Sequence, residues 1–298
     1  MSWEDTFQSW STGPGTTEQE RCDNAVRMVT EALNEDSELA RFNISVFPQG
    51  SYRARTNIRQ DSDVDVCVML KDTFFAEYPA SVTQAMAGNS GSSYRYSDFK
   101  NSVERALVRK FGRDQVSRGK KAFDVHANSY RVDADVVPTF EYRYYTEKRD
   151  TYGQFLYHSG VKLITDDYQS IINWPEQTYQ NGLNKNSDTG RIYKRVIRIL
   201  KRLRNDMQEN RITAAEDIAS FLIESLVWNT PNEIFSRSTY TDVVTGVLAH
   251  TFDSTITQEK CVEWGEVNEL KYLFRETQPW TREQANNFLD AAWDYVGL

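Results

Sequence analysis

The chain has 298 residues, 39% of them hydrophobic, enough to bury a sizeable core and suited to one two-lobed enzyme better than to several independent modules. A formal charge of −8 argues against a broad basic surface for long nucleic acid, while leaving room for a local basic pocket. Cys22, Cys67 and Cys261 stand far apart without metal-ligand spacing, which excludes a disulfide framework or zinc cluster from the reading; no run of about 18 apolar residues signals a membrane span, so a soluble, cytoplasmic protein is expected.

In chain order, Met1 to Thr16 is polar and glycine-containing and reads as a poorly ordered lead-in. Thr17 with Glu20 forms a capping-box pattern that opens a long helix, with Cys22, Val26, Val29 and Leu33 on one stripe. Ile44, Val46 and Phe47 then lead as a strand into Gly50-Ser51, and after a polar interval Val64, Val66 and Val68 alternate against Asp63, Asp65 and Cys67. Successive strand side chains point to opposite faces, so Asp63 and Asp65 share one. Paired carboxylates repel unless a cation sits between them, and their hard oxygens suit Mg²⁺ beside phosphates. At Gly50 the backbone can approach closely, and the Ser51 hydroxyl with nearby N–H groups can hold phosphate oxygens. Arg53, Arg55 and Arg59 follow, as phosphate contacts or, for at least two of them, a solvated face.

Between Lys71 and Ser97 the stretch MAGNSGSSYRYS has no clear period and reads as a mobile loop. A helix is expected over Tyr96 to Phe111, burying Phe99, Val103, Ala106 and Leu107, followed by strands around Ala122 to His126 and Tyr130 to Tyr142. His126 stands without a second histidine nearby and reads as structural, as do His158 and His250. In RVDADVVPTFEYR, Val132, Ala134 and Val136 alternate with Asp133 and Asp135, a second strand with acids on one face. Either acid is placed to serve as a third metal ligand.

Near Ile164 the pattern turns helical. Trp174-Pro175 imposes an extended step and then starts a helix; on local chemistry Asn173 before it reads as the cap of that helix. In RIYKRVIRILKRLRNDM, Val196, Leu200, Leu203 and Met207 make a narrow apolar stripe, with Arg191, Lys194, Arg198, Lys201 and Arg202 over the opposite side. Such a run is usually a solvated face, but in an acidic protein it also suits a nucleotide's phosphates. On local pattern Phe221 reads as core. The aromatics after Asn229 read as core.

Gly50-Ser51, Ser62-Asp63-Val64-Asp65 and Asp135-Val136-Val137-Pro138 are similar to the signature of the polymerase-β-like nucleotidyltransferases. More closely, they resemble the bacterial cGAS/DncV-like nucleotidyltransferases, in the E clade of cyclic-oligonucleotide synthases, with a similarity running from about Phe47 to Trp228. The resemblance implies an α/β (α+β) fold: a catalytic lobe with a central mixed sheet over residues 1–165, a helical lobe with the nucleotide-pocket lid over 166–298, and an active site in the cleft. It implies that Asp63, Asp65 and Asp135 hold two Mg²⁺ ions, with Mn²⁺ as the alternative, and that Gln49, Gly50, Ser51, Lys201 and Ser220 hold the donor nucleotide. Asn173 falls at the lid position, where relatives with asparagine use uridine nucleotides and others carry serine. The implied substrates are ribonucleoside triphosphates, UTP and ATP foremost. The implied product is a uridine-containing cyclic dinucleotide that acts through a cyclic-nucleotide-responsive effector in anti-phage defence, with no membrane or long nucleic acid as partner. Two rival readings are a transferase that adds nucleotides to RNA or protein, and an inactive nucleotide sensor or scaffold.

Overall fold

The computed structural model describes residues 2–13, 15–58, 64–126, 133–275 and 278–297. In chain order it forms α1 (Trp3–Trp10), α2 (Thr16–Asn34), β1 (Ile44–Pro48), α3 (Gly50–Ala54), β2 (Val64–Glu77), α4 (Tyr96–Phe111), β3 (Val116–Arg118), β4 (Phe123–Val125) and β5 (Ala134–Arg149). There follow β6 (Phe155–Ile164), β7 (Ser170–Asn173), α5 (Pro175–Asp188), α6 (Tyr193–Glu209), α7 (Ser220–Trp228), α8 (Tyr240–Thr255), α9 (Gln258–Cys261) and α10 (Arg282–Val296). Two compact units result: Gly15–Tyr52 with Ser62–Glu176, and Met1–Pro14 with Arg53–Asp61 and Gln177–Leu298.

The first unit is a mixed sheet. Its strands run β1-β2-β5-β4-β3, with β6 on β5 and β7 on β6; β2 and β5 are parallel, the other pairs antiparallel. Alternation decides what each face carries. Val64, Val66, Val68 and Leu70 of β2 and Ala134 and Val136 of β5 pack with Cys22, Ala25, Val29 and Leu33 of α2 and Phe99, Val103, Ala106 and Leu107 of α4. Burying each such large apolar side chain contributes about 1.5–3 kcal/mol. The α4 stripe is the expected one. The opposite face carries Asp65, then Cys67 and Met69 with Val161 and Phe47.

Two local expectations need correction. Helix α2 starts at Thr16 with Gly15 as its N-cap, in an extended conformation and without a side-chain cap, so Thr17 lies inside the first turn. Strand β2 continues through a bulge to Glu77, pairing Phe74 to Glu77 with Glu141 to Tyr144, which shortens the expected loop. Within the remainder, Asn89 donates to the hydroxyls of Tyr78 and Tyr145, both at 2.9 Å.

The second unit is helical, around α6. Tyr193, Val196, Ile197, Ile199, Leu200, Leu203 and Met207 are all buried there with residues of α7, α8 and α10, a wider apolar surface than the narrow stripe expected. The N-terminal segment, expected to be poorly ordered, is instead anchored. Ser2 and Asp5 form a capping box for α1, Phe7 is buried in the helical core, and Trp3 lies 6.1 Å from the Tyr295 ring. Glu4 accepts from the backbone N–H groups of Tyr240 at 3.0 Å and Thr241 at 2.7 Å, satisfying donors that the start of α8 leaves open. Among the described residues no helix is long and apolar enough to cross a membrane.

Candidate active site

The strand register brings the acids together. Asp65 of β2 lies directly opposite Asp135 of β5, and Asp124 of β4 lies opposite Asp135 on its other side. Registered neighbours in adjacent strands project to the same face, so Asp65, Asp135 and Asp124 form one row. Their alternating neighbours Val64, Val66, Ala134, Val136, Phe123 and Val125 are buried in the core beneath α2 and α4, which turns the carboxylates to the opposite face.

The Gln49-Gly50-Ser51 turn is laid against this row. Gln49 N–H donates to the Asp65 carbonyl at 2.8 Å, and Gly50 follows with φ +63°, where a Cβ would stand 2.3 Å from Asp65 Oδ2. Only glycine satisfies both the left-handed backbone and the contact. Ser51 lies in the first turn of α3. The next residue pins that helix to α2: Tyr52 donates to the Asp23 carboxylate at 2.6 Å and accepts from Gln19. Burial, then the Asp23 hydrogen bond, push the Tyr52 phenol far above its ordinary range, so it stays protonated as the donor.

Asp63, with Asp61, Ser62, Arg59 and Val132, lies outside the described residues. Asp133 shares its face with Asp135, but it gathers with Asp124 and His126, whose ligand atoms lie within 4.8 Å of one another. The pairing of Asp124 with Asp135, carried two residues further, sets His126 across from Asp133. His126 Nδ1 lies 3.5 Å from Asp124 Oδ1 and Nε2 lies 3.3 Å from Ser117 Oγ. Two carboxylates and an imidazole so placed can hold a divalent metal ion. Sequence offered no sign of this group, because it depends on the β4–β5 register.

Asn173 ends β7 opposite Val161 of β6. It is exposed, and α5 begins only at Pro175. Its side-chain amide makes no hydrogen bond among the described residues, so it does not cap that helix. Donor and acceptor are both available to a ligand.

In the helical unit, Lys201 is fully buried. Its Nζ donates to Glu224 Oε1 at 2.7 Å and to the Thr56 carbonyl at 3.2 Å, and Thr56 Oγ1 donates to the same Oε1 at 2.7 Å. The expected polar face is therefore, at this position, a closed internal ion pair. Lys194, two turns earlier on the same side of α6, is different. It is 6% exposed, and among the described residues no carboxylate comes within ion-pair distance of its Nζ. Burial, then the Arg55 guanidinium, depress its ammonium below the ordinary lysine range; Glu224 opposes this and Arg198 adds to it. Arg198 is itself pushed down to about 10 by burial, then by Arg195 and Arg202, and donates to the carbonyls of Arg55 at 2.7 Å and Ser11 at 2.8 Å. Arg55 has φ +55°. Arg53 lies 4.9 Å over the Tyr179 ring. A buried cation without an ion-pair partner among the described residues is a candidate contact for an anion. Sequence reasoning placed Lys194 on the charged side of α6 but singled out Lys201, because only the fold shows which lysine has Glu224.

Ser220 opens α7, and its Oγ accepts from Arg204 at 3.2 Å. Phe221 packs against the helical core, 6.4 Å from the Trp280 ring.

Comparison with known proteins places this geometry. Residues 180–297 match the family of cGAS/DncV-like nucleotidyltransferase C-terminal helical domains. The chain is 43% identical to the cyclic dipyrimidine nucleotide synthase CdnE of Legionella pneumophila, over 99% of this chain and 98% of that protein. It is 38% identical to the protein of the same name from Cecembia lonarensis, over 98% of each. Among solved structures, the Rhodothermus marinus CdnE c-UMP-AMP synthase with Apcpp and Upnpp matches with a TM-score of 0.83 at 29% identity, covering 99% of this chain and 97% of that one. The Elizabethkingia meningoseptica CdnE cyclic dinucleotide synthase with GTP and Apcpp matches with a TM-score of 0.79 at 33% identity, covering 99% of both.

Proposed function

The chain belongs to the cGAS/DncV-like nucleotidyltransferases and is a cyclic dinucleotide synthase of the CdnE kind; from that premise we propose that its product contains uridine. The observation that carries the base assignment is the exposed amide of Asn173, unbonded among the described residues at the end of β7. An amide offers one donor and one acceptor side, matching the imide edge of uracil. The two relatives named above as dipyrimidine synthases, at 43% and 38% identity, point the same way.

The acid row fits a hard divalent cation: Asp65 and Asp135 present carboxylate oxygens in register, and Asp63 stands two residues from Asp65 in the sequence. We assign Mg²⁺, or Mn²⁺, to these three residues. When bound, the metal lowers the pKa of the attacking ribose hydroxyl and neutralises charge on the triphosphate. The chain's own groups do the rest. Gly50 leaves room for the Asp65 carboxylate to lie against the turn, and Ser51 supplies a hydroxyl. Within the helical unit, Lys194 and Arg55 are the positive charges we assign to phosphate. In each transfer a ribose oxygen forms a bond to the α-phosphorus, the bond from that phosphorus to the bridging oxygen breaks, and pyrophosphate leaves. Two such transfers close the ring. On this reading the substrates are UTP with a second ribonucleoside triphosphate, the enzyme works in the cytoplasm, and its product acts through a cyclic-nucleotide-responsive effector in anti-phage defence.

The test is a competition among the four ribonucleotides with the wild type and Asn173→Ser. The wild type incorporates uridine preferentially and the variant shifts toward purines; an unchanged product spectrum removes Asn173 from base selection.

A further inference from the structure

Gly160 of β6 is a glycine for reasons of space. Its backbone is not in the left-handed region, yet a Cβ would stand 2.6 Å from Trp174 Cε3, 2.8 Å from Trp174 Cζ3 and 2.8 Å from the Asn173 carbonyl oxygen. Unstrained carbon contacts lie at about 3.5–4.0 Å, so any side chain here moves the Trp174 ring, the Asn173 backbone or both.

Trp174 reaches this place through its neighbours. The residue before a proline is driven to an extended conformation, so Trp174 continues the line of β7 before α5 begins at Pro175. Its ring is buried on the sheet, edge-on to Tyr142 at 5.5 Å and 69° and to Tyr144 at 6.2 Å and 70°. Tyr142 is fixed in turn, donating its phenol to the Glu77 carboxylate. In the ladder, Gly160 pairs with Tyr142, while the adjacent Val161 pairs with Asn173. Floor, walls and ring thus surround one spot, and the residue next to the ring is Asn173.

We infer that Gly160, Trp174 and Tyr142 form a pedestal that fixes the Asn173 amide and are positioning residues for base selection; the inference rests on Asn173 reading the base. Hydrogen bonds to a base edge tolerate only about 0.5 Å around their usual length. Restoring normal contact above an added Cβ displaces Trp174 by about 1 Å, a misplacement able to cost on the order of 100-fold. Gly160, Trp174 and Tyr142 bring no cationic side chain for phosphate, so the expected effect falls on the choice of base.

The experiment uses the full chain with all four ribonucleoside triphosphates at equal concentration and measures the uridine fraction of the product. This ratio does not depend on how much of a preparation is folded, so a merely structural loss leaves it unmoved. Gly160→Ala and Trp174→Phe are both expected to lower the uridine preference, by about tenfold or more. If both keep the wild-type ratio while Asn173→Ser changes it, the pedestal is overturned and the base reading stands. If Asn173→Ser also leaves the ratio unchanged, the base reading falls and the pedestal with it.

Discussion

The carboxylate of Asp65 occupies the space into which a side chain on Gly50 would project: a Cβ there would lie 2.3 Å from Asp65 Oδ2. The contact joins the Gly50 turn to the acid row. Gly50→Ala must displace one or the other, and it also places a side chain at φ +63°, at a cost of about 1–2 kcal/mol. Product formation is expected to fall about 100-fold or more in protein that still melts cooperatively. A variant with the wild-type rate contradicts this arrangement.

Asp133 and Asp135 share a face, but only Asp135 is registered with Asp65. Asp135→Asn is expected to lower the rate about 100- to 1,000-fold. Asp133→Asn, whose carboxylate gathers with Asp124 and His126, is expected to cost less, about 10- to 100-fold. Steady-state rates of the two purified variants decide it, and equal losses would show that both acids serve the reacting centre.

The buried Lys201–Glu224 pair is a matter of stability. Lys201→Met leaves Glu224 uncompensated and is expected to destabilise by about 3–5 kcal/mol. Lys201→Met combined with Glu224→Leu is expected to recover most of that loss, because the orphaned charge is gone. Denaturant unfolding of the two variants measures the difference, and additive losses would contradict the pairing.

Lys194 behaves in the opposite sense. Its pKa in the folded chain lies below the ordinary lysine value, so between the two values the unfolded chain binds more protons and stability rises with pH. At neutral pH the cost of the buried charge is fully present. Lys194→Met is therefore expected to raise the melting temperature by about 2–4 °C while weakening nucleotide binding. In the wild type, affinity for a non-hydrolysable triphosphate is expected to decline as pH rises through the depressed pKa, whereas Lys194→Arg keeps its charge and shows a flatter profile. Titrations across alkaline pH check this; identical profiles would remove Lys194 from phosphate binding.

What could be read from sequence was what is periodic. Val64, Val66 and Val68 against Asp65, and the stripe of Phe99, Val103, Ala106 and Leu107, follow from strand and helix geometry and lie where that geometry puts them. What could not be read was pairing over distance. The match of Asp65 with Asp135, implied by the resemblance and by no periodicity, depends on a parallel ladder between strands far apart in the chain, and the gathering of His126 with Asp133 depends on a second ladder. The fate of Lys201 depends on Glu224 of another helix. The N-terminal helix is a different kind of miss: Trp3, Phe7 and Trp10 stand at helical spacing and form a packed aromatic group, a stripe hidden by its polar surroundings. Asp63, the acid most prominent in the motif, lies outside the described residues.

The most direct test of the central claim is to incubate the purified chain with Mg²⁺ and the four ribonucleoside triphosphates, label each in turn, digest with phosphatase and resolve what survives, with Asp135→Asn alongside. A phosphatase-resistant product that carries label from UTP, requires the metal and vanishes in the variant is the expected result. A resistant product without uridine label would contradict the base assignment, and the absence of any resistant product would contradict ring closure by this chain.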